Sequence, residues 1–198
     1  MSLKRLTEVL RNLSWLKRVH IFAFALLSIE IAWNPSDLPT RAFEKFLVFF
    51  IFPLLFVKAH GRQLGLSFNR DVVINTISLC IVVLPFYALA GSIPIMRSFY
   101  PIGDVPLEFM PFAIHQFYQF FLALGNEVYY RGILCVWIRD IGVKSIFVSP
   151  VIYAYRHIGK PSPEFIGSAP ADIVFGWFDY KSKSIIPSVV AHWVGMML

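Results

Sequence analysis

Charge is scarce in this chain: Asp, Glu, Lys and Arg make up 15% of its 198 residues. Cysteine is nearly absent, and Cys80 and Cys135 fall in separate apolar stretches without CxxC spacing. That pattern excludes a disulfide framework and a zinc–thiolate site, so both are read as packed free thiols. No HExxH or other compact ligand motif occurs, and there is no internal repeat, low-complexity tract or linker. The chain therefore reads as one domain over residues 1–198, and a transporter built from repeats is disfavoured. What is abundant is apolar surface: 57% of the residues are hydrophobic, with 20 Phe and 5 Trp. A soluble domain does not carry that composition, so the chain is expected to lie in a lipid bilayer.

Apolar stretches run from about Val19 to Trp33, Phe46 to Val57, Val72 to Ile93, Met110 to Ile138, Ser145 to Tyr155, Phe165 to Phe178 and Ser184 to Leu198. They predict an all-α fold, a polytopic transmembrane bundle of six to seven helices. Several stretches fall short of the ~20 residues that a simple span needs. The first is followed by a helix stop at Trp33-Asn34-Pro35 rather than a small-residue cleavage pattern, and is read as a retained helix. Residues 1–18 carry Leu3, Leu6, Leu10, Leu13 and Leu16 at helical spacing among Lys and Arg, as an amphipathic membrane-surface segment does. With a cytoplasmic N-terminus and seven alternating segments, twelve of the 18 Lys and Arg lie in inner loops. Five (Arg41, Lys45, Arg97, Arg156 and Lys160) lie in outer loops, and Arg131 is left inside a segment. That asymmetry favours the N-in orientation. It also accounts for the net charge of +6 without a nucleic-acid partner. The Gly- and Pro-rich connection from Gly91 to Glu108 separates a three-helix half, 18–93, from a second half, 110–198. The compactness points to a prokaryotic cytoplasmic membrane.

The unusual polar residues collect in the second half: Glu127, Arg131, His157, Asp172 and His192, with His115, Gln116, Gln119 and Asn126 nearby. An ionisable group at membrane depth is costly and is expected to face a partner or a wet cavity. Glu127 and Arg131, at i and i+4, share a helix face and can pair. A pair that only lets the helix sit in the bilayer would leave the histidines unexplained. Counted from Arg139, Ser145 and Ser184, the residues Glu127, His157 and His192 lie about 18, 18 and 12 Å along their helices from one membrane side. One carboxylate and two imidazoles can thus converge. A carboxylate beside a histidine can deprotonate a water, and a second histidine can stabilise the resulting oxyanion, which is the chemistry of peptide hydrolysis. The same set could instead hold a divalent metal.

Three runs, NEVYYRG at 126–132, YAYRHIGKPSPE at 153–164 and SIIPSVVAHW at 184–193, resemble the ordered motifs EExxxR, FxxxH and HxxxN of the CAAX protease and bacteriocin-processing family, also called the abortive-infection family. The resemblance covers about Gln116 to Trp193. It implies a helical intramembrane endopeptidase acting on a membrane-associated protein or peptide, such as a prenylated or other C-terminal tail. It places Glu127 and Arg131 in the first motif, His157 in the second and His192 in the third. It further implies that a glutamate and His157 activate water while His192 serves the oxyanion, without a resident cofactor, although the family was earlier described as metal-dependent. The chain departs from the pattern at Asn126, where the first glutamate is expected, at Met196, where the asparagine is expected, and mildly at Tyr153. A catalytically silent scaffold that binds the same tails is the alternative.

Among the remaining polar residues, Lys160 and Glu164 follow His157 and are accessory candidates, as is Asn126. Asp172 is expected either to pair with Lys160 or orient a histidine, or to be solvated beside Pro170. His115 and Gln119 share a face with Asn126 and could line the chamber or form an inter-helix hydrogen bond. His20 and His60 are read as bystanders near the interfaces.

Overall fold

The computed structural model describes residues 13–33, 35–100 and 108–198, so Leu3, Leu6 and Leu10 of the expected amphipathic segment lie outside it. Helix α1, Trp15–Ala32, ends where the Trp-Asn-Pro stop was expected. Helix α2, Leu38–Phe46, starts at Asp37, whose carboxylate accepts from Thr40 N at 2.9 Å. That bond satisfies an orphan amide and holds the Asp37 carboxyl below its ordinary range. A π turn, Leu47–Ile51, carries α2 without a break into α3, Phe52–Ala59. Helix α4, Arg70–Ser92, is capped by Asn69, which accepts from Val72 N at 3.0 Å. The short α5, Pro94–Arg97, follows it.

The second half opens with α6, Phe109–Glu127, which runs on as a π-helical segment, Val128–Val136. A 3₁₀ stretch, Arg139–Phe147, is interrupted at Gly142, whose φ of 74° favours glycine. Then come α7, Ser149–Arg156, α8, Ser162–Ser182, and α9, Ile186–Gly195, each with a proline in its first turn, where no amide donor is missed. Among the described residues every apolar stretch falls on helix, and no strand occurs. Lys45, expected in an outer loop, is instead inside α2 and buried, and Arg41 is in the same helix. Hydropathy averaging diluted the preceding polar residues, so the helix began eight residues before the expected stretch at Phe46.

One described helix, α4, is long and apolar enough to cross a bilayer on length and composition alone. The others are shortened by π and 3₁₀ segments or carry buried polar groups that lower their hydropathy, such as Gln116, Gln119 and Glu127 in α6. The described surface is nonetheless strongly apolar: Phe24 is 72% exposed, Ile81 69%, Phe86 68% and Val151 74%. Apolar side chains so widely displayed call for a covering phase or partner.

The larger core joins α1, the α2–α3 helix and the π segment through Leu26, Phe49, Tyr129 and Ile133. At one end, Trp15 Nε1 donates to Trp137 O at 2.8 Å, Trp137 Nε1 donates to Leu64 O at 2.9 Å, and the Phe22 and Phe56 rings stack at 4.1 Å. His20 and His60 donate to carbonyls four residues back, those of Leu16 and Phe56, and the His60 ring also packs against Trp15 and Phe56. A smaller core of Leu79, Val83, Phe175 and Ala191 seats α9 between α4 and α8.

Candidate active site

Helix α6 carries Glu127 at its last α-helical residue, and the wider π turn that follows brings Arg131 almost into line with it. Such π segments recur at functional sites. Arg131 Nε lies 3.0 Å from Glu127 Oε2, a close ion contact that is angled away from a straight hydrogen bond. From α8, Asp172 Oδ1 meets another guanidinium nitrogen, Nη2, at 3.0 Å and accepts from Ser149 Oγ at 3.2 Å. Glu127 is 0% exposed, Asp172 1% and Arg131 2%. A desolvated cation between two carboxylates is held because removing either partner would strand a buried charge. Asp172 is therefore neither solvated beside Pro170 nor paired with Lys160, and its bonds go to Arg131 and Ser149. The aromatic faces of Tyr153 and Phe175 flank the guanidinium at 4.6 and 5.1 Å.

His192 reaches this group from α9. Asp179, fully buried near the end of α8, accepts from Ser188 N at 3.2 Å and so caps the first turn of α9. Gly195 lets α9 press on α4, because a Cβ there would lie 2.8 Å from the Tyr87 ring. The result is a contact between His192 Nδ1 and Glu127 Oε1 at 2.5 Å. With its other oxygen beside the Arg131 guanidinium, the carboxylate accepts and Nδ1 donates.

His157 is placed differently. As the residue after α7, its Nδ1 donates to Tyr153 O at 2.7 Å, and its Nε2 lies 3.3 Å from Glu164 Oε1. Glu164 is held in turn by Lys160 Nζ at 2.7 Å and by the Tyr100 hydroxyl at 2.8 Å. The carboxylate implied for His157 by the resemblance is thus supplied here by Glu164, while Glu127 goes to His192. The two histidines are linked through Tyr153, Arg131 and Glu127: the Tyr153 ring lies 4.3 Å from that of His157 and 4.6 Å from the Arg131 guanidinium, which in turn meets Glu127.

Asn126 is half-buried beside Glu127, and Met196, in the place expected for an asparagine, is half-buried after α9. His115, Gln116 and Gln119 are buried together, with His115 Nε2 and Gln119 Nε2 3.5 Å apart, while Trp193 Nε1 donates to Gln116 O at 3.1 Å. They form their own polar cluster and are not in contact with Glu127. Asp179, Ser149 and Tyr100 join the network although sequence reasoning passed over them. Asp179 sits in a polar run that reads as a solvated helix end, and only its spacing ahead of Pro187 hinted at a cap. Among the described residues no three His, Cys, Asp or Glu side chains converge as a metal-binding group, because the two histidines answer to different carboxylates.

An apolar groove of about 490 Å³ runs between α2, α6 and α9, walled by Phe46, Phe50, Phe120, Phe121, Leu124 and Val189, and neither Glu127 nor His192 lines it. Leu124 lies three residues before Glu127, and Val189 lies three before His192.

Residues 109–197 match the Rce1-like family, described as type II CAAX prenyl endopeptidase Rce1-like. Over that part the chain is similar to a family of membrane-embedded proteases, in keeping with the resemblance carried by the three motifs. No curated protein and no solved structure matches the chain significantly.

Proposed function

We propose that this protein is an integral-membrane endopeptidase in which the Glu127–His192 pair activates the attacking water. The observation that carries the reading is the 2.5 Å contact joining the first and third motifs. It gives a histidine a buried anionic partner at one nitrogen and leaves the other nitrogen to the reacting groups, the arrangement of a carboxylate-oriented general base.

In the proposed reaction, His192 Nε2 takes a proton from water as the water oxygen bonds to the scissile carbonyl carbon. The negative charge moves to the carbonyl oxygen, and the imidazolium is stabilised by Glu127 at Nδ1. Collapse of the intermediate expels the amine, which receives the proton from His192, and the carboxylic acid product remains. His157 is the group assigned to the oxyanion: its Nδ1 stays on Tyr153 O while its Nε2 exchanges Glu164 for the substrate oxygen. Arg131, itself held by Asp172, fixes the position of the Glu127 carboxylate. These roles exchange those that the family pattern suggests for the two histidines. A divalent metal has no ligand set among these residues as they are arranged, so no step is routed through one.

The apolar groove between α2, α6 and α9 supports a substrate whose chain carries a lipid or an apolar tail, presented from the bilayer. The bilayer setting itself rests on the exposed apolar surface, on helix α4 and on the family. N-in orientation and a prokaryotic cytoplasmic membrane belong to the same proposal.

The test is cleavage of a panel of membrane-anchored C-terminal peptides, prenylated and not, by purified protein in detergent. Cutting that disappears in Glu127→Gln and His192→Ala and survives a chelator supports the reading. Cutting abolished by chelator, or unaffected in both variants, would overturn it. Two features favour the silent scaffold: Asn126 replaces a carboxylate, and Glu127 is closed to solvent. Tail binding of equal strength in wild type and both variants, with no cleavage by any of them, would establish that scaffold instead.

A further inference from the structure

A second buried ionic group lies largely outside the matched residues. Glu30, near the end of α1, accepts through Oε1 from both Lys45 Nζ of α2 and Arg156 Nη2 of α7, the latter at 3.1 Å. Glu44 Oε2 stands 3.6 Å from the same ammonium group. Glu30, Glu44 and Lys45 are each at most 8% exposed. Two acids and two bases balance, so the group is neutral as a whole but intolerant of losing one member.

Its two ends are attached to the backbone next to the reacting residues. Arg156 immediately precedes His157. On the other side, the backbone of Lys45 presses on Gly125, two residues before Glu127. A Cβ at Gly125 would lie 2.8 Å from Lys45 Cβ and 2.9 Å from Lys45 O. The same ammonium sits 4.5 Å over the Phe49 ring, which meets Tyr129 of the π segment edge to face at 5.0 Å.

We propose that Glu30 is a positioning residue of the reaction: through Arg156 it fixes the end of α7 and hence His157, and through Lys45 it fixes the approach of α2 to α6 at Gly125. The N-terminal half thereby sets the separation of His157 from the Glu127–His192 pair. This inference rests on the protease reading for its kinetic arm only.

The experiment compares wild type, Glu30→Gln and Glu30→Asp, each in detergent and each checked for a cooperative melt. Two quantities are read: cleavage kinetics, and the rate at which diethylpyrocarbonate modifies His157, His192 and His115, resolved by peptide mass spectrometry. Small misplacements of reacting groups cost about tenfold to a hundredfold in rate. Glu30→Gln should therefore lower kcat by at least about tenfold with KM within about twofold. It should alter the modification rate of His157 but not of His115, and Glu30→Asp, which keeps the charge, should lie between Glu30→Gln and wild type in both kcat and His157 reactivity. Unchanged kcat and His157 reactivity in a folded Glu30→Gln protein would overturn the proposal. If Glu30→Gln does not fold, Glu30→Asp, which keeps the charge but shortens its reach, is read in its place. If wild type cleaves nothing, the protease reading falls and the His157 reactivity decides the positioning proposal alone.

Discussion

Glu127 and His192, 65 residues apart in the chain, meet at 2.5 Å inside the helical bundle, carboxylate oxygen to imidazole Nδ1. Each is the endpoint of a supporting chain. Arg131, Asp172 and Ser149 stand behind the carboxylate, and Asp179 holds the first turn of the helix that presents the imidazole.

Glu127→Gln keeps the volume but removes the charge that orients and stabilises the His192 imidazolium. Cleavage is expected to fall by about 10²- to 10⁴-fold, the usual worth of general acid–base assistance. Peptide binding should persist. Rate and affinity measured on the same preparation check this, and a variant with near-wild-type turnover would remove Glu127 from the mechanism.

Arg131→Met leaves Glu127 and Asp172 facing one another without a cation. The expected cost is about 3–5 kcal/mol, because breaking a buried ionic group strands uncompensated charge. Chemical denaturation in detergent reads it. Asp172→Asn in the Arg131→Met background should recover part of the loss by removing one of the two stranded charges.

Asp179→Ala deletes the acceptor for Ser188 N at the start of α9. Leaving a buried amide without its acceptor costs about 1–3 kcal/mol. Since α9 is short and carries His192, kcat is expected to drop alongside the melting temperature, while Asp179→Asn, which keeps an oxygen acceptor, should preserve most of both. Equal behaviour of the Ala and Asn variants would argue against a capping role.

Gly125→Ala places a methyl 2.8 Å from Lys45 Cβ and 2.9 Å from its carbonyl oxygen. Backbone cannot yield as a flexible side chain does, so overpacking of about 1–3 kcal/mol is expected. Gly167→Ala, a position with open space around the added carbon, is the control and should be near neutral.

Much of the site was legible because it is local. Glu127 and Arg131 sit one helical turn apart, so their pairing follows from i,i+4 geometry whatever surrounds them. The order of three polar motifs on apolar stretches was likewise visible without coordinates, as was the helix stop after Ala32. The choice of which histidine Glu127 would meet was not. Depth counting along helices places groups at a level, but it says nothing of rotation about each helix axis, and it is rotation that turned His157 to Glu164 and His192 to Glu127. Lys45 was misplaced for a related reason, since a cation with a buried partner on another helix looks the same in sequence as one in a loop.

By itself the amino-acid sequence determined the helical class, the extents of the apolar segments and the list of ionisable groups that had to be partnered, since each follows from periodicity or from the cost of leaving a charge alone in an apolar medium. Tertiary structure decided who partners whom: Asp172 with Arg131, Glu164 with His157, Asp179 with the start of α9, Glu30 with Lys45 and Arg156. Those pairings depend on how helices distant in the chain are rotated and packed against one another, and short charged side chains reach only what that packing brings within about 3 Å.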